Sequence, residues 1–152
     1  ETYPDVFAAV GVHSGLAAGA ATDMPSAFGA MHNGGSAPTN SASRMPTIVF
    51  HGDADHTVSI KNAEQVLAAS VGENAALQAE ARADASGSRK ITRTVSRDDT
   101  NGKTTAESWT IHGAPHAWSG GRAVGSFTDQ SGPDATMQML RFFKQHKLAA
   151  AR

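Results

Sequence analysis

The chain has 152 residues, 39% of them apolar, which is enough for one domain with its own core. A net charge of −1, a pI near 6.7 and scattered charged residues leave no basic surface to argue for nucleic acid or an anionic membrane as partner. No apolar run approaches the roughly 20 residues that span a bilayer, and a chain without cysteine has no disulfide framework, thiolate nucleophile or cysteine zinc site.

Glu1 opens directly into a helix-end and strand pattern, with neither an initiator Met nor a leader, so the sequence predicts a chain cut inside a domain. Tyr3-Pro4-Asp5 reads as a turn and residues 6–13 as a buried strand closed by Ser14-Gly15. From Leu16 to Arg44 the chain is rich in Ala, Gly, Ser and Asn, with a weak helical turn around Pro25 to Met31. This long excursion reads either as the cover of a site or as a loosely packed surface loop.

Met45-Pro46 halts that segment, and residues 47–51 form a continuous β-branched and aromatic run, the pattern of a strand buried on both faces. Gly52 ends the run, and His51, Asp53, Asp55 and His56 put two carboxylates and two imidazoles within six residues. A central parallel strand would deliver such side chains to the carboxyl edge of its sheet, where open α/β sheets hold their chemistry. A helix over residues 62–71 follows, with Ala63, Val66, Leu67 and Val71 at helical spacing, Ser59 or Asn62 as its cap, and Gln65 completing a capping box.

Glu73 to Lys90 is Ala-rich and polar, and reads as a frayed helix plus a flexible loop. Residues 91–97 and 105–111 then read as paired strands around Asn101-Gly102. A two-residue loop would send Val95 and Trp109 to opposite faces, so the register is expected to shift, pairing Val95 with Trp109 and Arg97 with Glu107. The second strand runs into a loop with Gly113, Pro115, His116 and Trp118. A closing helix spans 133–146, with Pro133 at its first position and Met137, Leu140 and Phe143 along one face. The order strand, helix, strand pair, loop, helix defines an α/β fold.

An acid after one strand, followed by a histidine in a glycine-flanked loop after a later strand, is the order of the last two triad members in α/β-hydrolases. The histidine would take a proton from a serine hydroxyl while the carboxylate holds the other ring nitrogen. Trp118 would wall the ring or the substrate. Four segments carry a more specific likeness: Tyr3-Pro4-Asp5-Val6-Phe7-Ala8-Ala9-Val10 with His13-Ser14-Gly15; His51-Gly52-Asp53-Ala54-Asp55 ending in Val58; Gly113-Ala114-Pro115-His116-Ala117-Trp118-Ser119-Gly120-Gly121; and Gly132-Pro133-Asp134 ahead of Phe142-Phe143. Together they resemble the carboxyl-terminal part of the polyhydroxybutyrate depolymerase-like esterases, a secreted α/β-hydrolase family related to feruloyl and acetylxylan esterases.

The resemblance implies a serine esterase acting on polyhydroxyalkanoate-type or polysaccharide-linked acyl esters, extracellular and without a cofactor. Over residues 1–152 it implies the carboxyl-terminal part of one catalytic domain, with the upstream half missing. By position it makes Asp55 the triad acid, with Asp53 as the competing choice, His116 the general base, and His112 a residue that ends its strand. No Gly-x-Ser-x-Gly occurs in the sequence. In Gly11-Val12-His13-Ser14-Gly15 the serine stands one place too late and opens no convincing helix, so Ser14 reads as a turn residue at the site's edge. Two other readings compete. A metal site could use His51, Asp53, Asp55 and His56, or the spacing of His112 and His116, but Pro115 opposes a helix there and neighbouring side chains on extended backbone point apart. A binding module with hydrolase architecture would apply if the chain is complete as given.

Overall fold

The computed structural model describes residue 3 and residues 5–35, 44–71, 77–83 and 88–148, with backbone alone over 77–83. Its centre is a five-stranded mixed sheet in the order β1-β2-β5-β4-β3, so the chain is an α/β protein. Strands β1 (Val10–His13), β2 (Thr47–Gly52) and β5 (Thr104–Ile111) run parallel, with Val10 opposite Thr47 and Thr47 opposite Ala106. β4 (Lys90–Arg97) and β3 (Leu77–Ala83) continue the sheet antiparallel. A separate small ribbon joins β6 (Trp118–Ser119) to β7 (Thr128–Asp129).

Every residue of β2 is buried, as its unbroken β-branched and aromatic run requires of a strand covered on both faces. One face holds Ile48, Phe50, Ile91, Trp109 and Ile111 against Ala135, Met139 and Phe142 of α3 (Ala135–Phe143). The other holds Val49 with Ala17, Ala63 and Val66, the last two from α2 (Lys61–Ser70). Helix α1 (Met24–Asn33) forms where the excursion carried a weak helical signal, and Asp23 and Ser26 cap its start reciprocally. Residues 36–43 of that excursion lie outside the described residues.

Several boundaries and contacts differ from those the sequence predicts. The first strand starts at Val10, not residue 6, because Pro46 has no N–H to give a ladder and β2 begins only at Thr47. The amide of Val10 is instead the first donor, to Pro46 O, and Val6 and Phe7 turn back onto Tyr3 O, more than half exposed. Helix α2 has Ile60 at its N-cap with no side-chain cap, so the expected capping box is absent. Asn62 lies inside the helix, fully buried, where Nδ2 donates to Ala30 O and Oδ1 accepts from Gly35 N, stapling the end of α1 to α2.

Over residues 77–83 the expected frayed helix is strand β3. The alternating Leu-Gln-Ala-Glu-Ala-Arg-Ala has strand period, and the ladder offered by β4 overrides the helix preference of its alanines. Residues 72–76 and 84–87, also in that expectation, lie outside the described residues. The β4–β5 hairpin pairs Val95 with Glu107 and Arg93 with Trp109, two residues away from the expected register. A bulge at Ser96/Arg97 and a longer loop, closed by Asp98 N to Lys103 O and by Asp98 O to Gly102 N, absorb the difference. The faces nonetheless stay as expected, since a shift of two preserves them. In α3, Pro133 precedes the N-cap Asp134, and Ala135, Met139 and Phe142 face the core, while Met137 and Leu140 are exposed.

Beside this apolar stripe, α3 also makes an ion pair with the sheet. Glu107, fully buried on β5, accepts from Arg93 Nε and Nη2 at 3.2 and 2.8 Å and from Arg141 Nη1 and Nη2 of α3 at 3.1 and 2.6 Å. Trp109 Nε1–H adds a further bond at 3.2 Å. Burial would raise the Glu107 carboxyl, but the two guanidinium groups outweigh it and hold the group below its ordinary value. Removing the shared carboxylate takes the common acceptor from two guanidinium groups that keep some solvent contact, 16% and 34% exposed. Glu107→Ala should therefore cost about 1–3 kcal/mol in urea unfolding, the scale of losing buried hydrogen bonds to a charged group.

Candidate active site

Because β1, β2 and β5 are parallel, their carboxyl ends open at one edge of the sheet. His13-Ser14, the segment Asp53 to Val58 and the segment His112 to Trp118 therefore meet there. Gly52 makes the meeting close. A Cβ at that position would overlap the carbonyl of Ala114, and the Asp53 amide donates to Ile111 O, so the turn after β2 lies directly on the turn after β5.

Asp55 has no solvent-exposed side-chain surface. Its Oδ1 accepts the amides of Thr57 and Val58 at 2.9 and 2.8 Å, and its Oδ2 accepts His116 Nδ1–H at 2.8 Å. Burial would raise this carboxyl. The amides of Val58 and Thr57 and the His116 ring outweigh it, so Asp55 titrates below its ordinary value and is ionised near neutrality. A carboxylate only accepts, so the bond places the His116 proton on Nδ1 and leaves Nε2 as the basic nitrogen. That ring is 37% exposed and lines a cleft of about 390 Å³ with His13, Ser14, Ala117, Trp118 and Phe127.

A second carboxylate–imidazole pair stands beside the first. Asp53 Oδ2 accepts His112 Nδ1–H at 2.7 Å, Asp53 Oδ1 accepts the Gly113 amide at 2.6 Å, and Thr92 Oγ–H donates to His112 Nε2 at 2.8 Å. Both members of this pair are more than a third exposed. Asp53 thus holds the loop through the His112 ring and the Gly113 amide. His112 sits in the turn after β5, bonded rather than merely ending the strand, and its link to Asp53 is what reading the residues singly missed. The signal was present: carboxylates two apart after β2 and imidazoles four apart after β5.

The groups of the metal reading go to separate partners. His51 Nε2–H donates to Val58 O at 2.8 Å and lies 3.5 Å from Asp55 Oδ2, while Asp53 and Asp55 each take a different histidine. Among the described residues no three His, Asp or Glu side chains converge as metal ligands.

Two residues outside the expected pair complete the cleft wall. His13 lies between Phe50 and Trp118, with centroids 5.8 and 4.8 Å away, and its Nε2 accepts the Ser119 amide at 2.9 Å. Trp118 in turn donates its amide to Phe127 O and its Nε1–H to Thr136 Oγ1. Burial first, then the nearby His51 and His116, lower His13 to a pKa of about 4. Ser14 ends β1 at φ +50, and residues 15–22 continue without a helix, so no strand-to-helix elbow forms around it.

Parallel strands that bring a buried aspartate and a loop histidine to one sheet edge define an acid–base pair with an adjoining cleft. The sequence matches the protein-family model described as esterase PHB depolymerase over residues 1–98, well over half of the chain, and the protein belongs to that family. No curated protein matches it.

Two measurements follow from this geometry. Gly52→Ala should cost about 1–3 kcal/mol, as overpacking does, and should shift the imidazole NMR signals of His116, because the clash falls on the loop that carries it. His13 is neutral when folded and charges more readily when unfolded. The stability from keeping it neutral is full above its ordinary 6.5 and is lost as pH falls towards the folded value of about 4. At about 1.4 kcal/mol per unit of pKa shift, roughly 3 kcal/mol is at stake. His13→Gln should flatten the decline in stability between pH 6.5 and about 5, above the range where the carboxylates respond.

Proposed function

We propose that this chain supplies the acid and base of a Ser-Asp-His triad in a carboxylic ester hydrolase, and that it forms part of an α/β-hydrolase catalytic domain. The observation that carries the reading is the 2.8 Å bond between the solvent-excluded Asp55 and His116 Nδ1, with the rest of the imidazole lining a cleft. Family membership supports ester hydrolysis in general. His116 Nε2 takes the proton of a serine hydroxyl as that oxygen attacks the ester carbonyl, then returns it to the leaving alkoxide. Asp55 holds the ring's tautomer and stabilises the imidazolium between those steps.

The serine is supplied from outside these 152 residues, because the sequence contains no Gly-x-Ser-x-Gly and the Ser14 hydroxyl is bonded to His13, not to His116. Trp118 and the exposed Phe127 form an apolar wall for the acyl or alcohol group. A wall of that kind suits hydroxyalkanoate polymer or acyl groups on polysaccharide.

In the full-length protein, His116→Ala and Asp55→Asn should each lower kcat for p-nitrophenyl butyrate by roughly 10³–10⁴-fold. His112→Ala should retain turnover. Loss of activity in the His112 variant with activity kept in the His116 variant would overturn the assignment. A serine-directed phosphonate should label a serine upstream of residue 1 and leave Ser14 unmodified; labelling at Ser14 would make it the nucleophile and overturn the reading that the serine comes from outside these residues, whereas no labelling and no hydrolysis at all would favour a non-catalytic binding module.

A further inference from the structure

The hydrogen bonds around His13 fix more than a packing position. The Ser119 amide can only donate, so His13 Nε2 must accept, and the ring's single proton in its neutral form sits on Nδ1. That Nδ1 lies 3.1 Å from Ser14 Oγ, so the imidazole donates to the serine oxygen. Ser14 therefore keeps its own hydroxyl proton for another acceptor, and among the described residues no protein group takes it. The Ser14 amide is tied to Phe50 O, and the residue is held at φ +50, a conformation that non-glycine residues rarely adopt. Strain of this kind persists where the surroundings over-determine the residue, and it clusters at functional sites. Ser14 and His116 line the same cleft.

We infer that Ser14 donates its hydroxyl hydrogen bond to the carbonyl oxygen of the ester bound beside His116, through the relay Ser119 N–H to His13 to Ser14. This rests on the esterase reading above and adds a substrate-binding residue to it. The Ser14 oxygen accepts from His13 while its O–H donates, and bonds in such chains polarise one another, so the donor is stronger than an isolated hydroxyl. The bond strengthens as charge develops on the carbonyl oxygen in the tetrahedral state.

The test compares p-nitrophenyl butyrate with its thionoester, whose sulfur is a poor acceptor, in the full-length protein. Ser14→Ala should lower kcat/KM for the oxygen ester about tenfold or more and leave the thionoester nearly unchanged, so the preference for oxygen falls by the same factor. Ser14→Gly should show the same kinetic loss with an equal or higher Tm, because glycine relieves the positive φ. Equal losses on both esters, or no loss on either, would overturn the inference while leaving the esterase standing. A wild-type protein inert towards both esters would overturn the esterase reading and this one with it.

Discussion

A carboxylate without solvent contact must find hydrogen bonds inside the protein, and the arrangement at Asp55 follows from that requirement. Two of its acceptor positions are filled by the amides of Thr57 and Val58, which forces the chain into a tight turn after β2. The remaining oxygen has a single strong donor, His116, which arrives on a different strand's loop. Desolvation alone would push Asp55 towards its neutral form, and the three donors reverse this. The same bonds that keep the acid ionised fold its turn and orient its partner, so one set of contacts serves stability and chemistry together.

Whether His116 can arrive at all is decided by backbone packing. The parallel pairing of β2 with β5 brings the two turns to the same edge, and the missing side chain at Gly52 lets Ala114 settle against it. Behind them, α3 is locked to the sheet through Arg141 and the buried Glu107, whose other guanidinium partner, Arg93, comes from β4. In front, the β6–β7 ribbon presents Trp118 to His13 and fixes that ring's tautomer through the Ser119 amide. The cleft is thus floored by the sheet and walled by elements that the sheet itself positions.

The α/β class and the buried strand β2 were legible in the sequence, because each rests on local chemistry, a β-branched run and a glycine stop; Asp55 and His116 were singled out by the family resemblance, and the structure joins them by a hydrogen bond. The remainder depends on partners distant in the chain. Strand β3 was hidden because alanine favours helices until a neighbouring strand offers hydrogen bonds, and β4 is such a neighbour. Asn62 read as a cap because asparagine often is one, yet its side chain reaches Ala30 O on α1 and the Gly35 amide just after it, more than 25 residues away. The hairpin's faces followed from the two-residue period, whereas its register turned on a bulge at Ser96 that no periodicity encodes. Helix α3 turns a different apolar stripe to the sheet from the one its sequence suggested, Ala135, Met139 and Phe142, with Arg141 beside it reaching Glu107.

The Asp53–His112 bond gives the loop after β5 a second tie to the turn after β2, a few residues from the first. A loop fastened at one point can still swivel about it; fastened at two, it has lost that rotation as well as its translation. The bond from Asp55 then meets a loop whose backbone is already held at Gly113, so the placement of the His116 ring is settled when the protein folds.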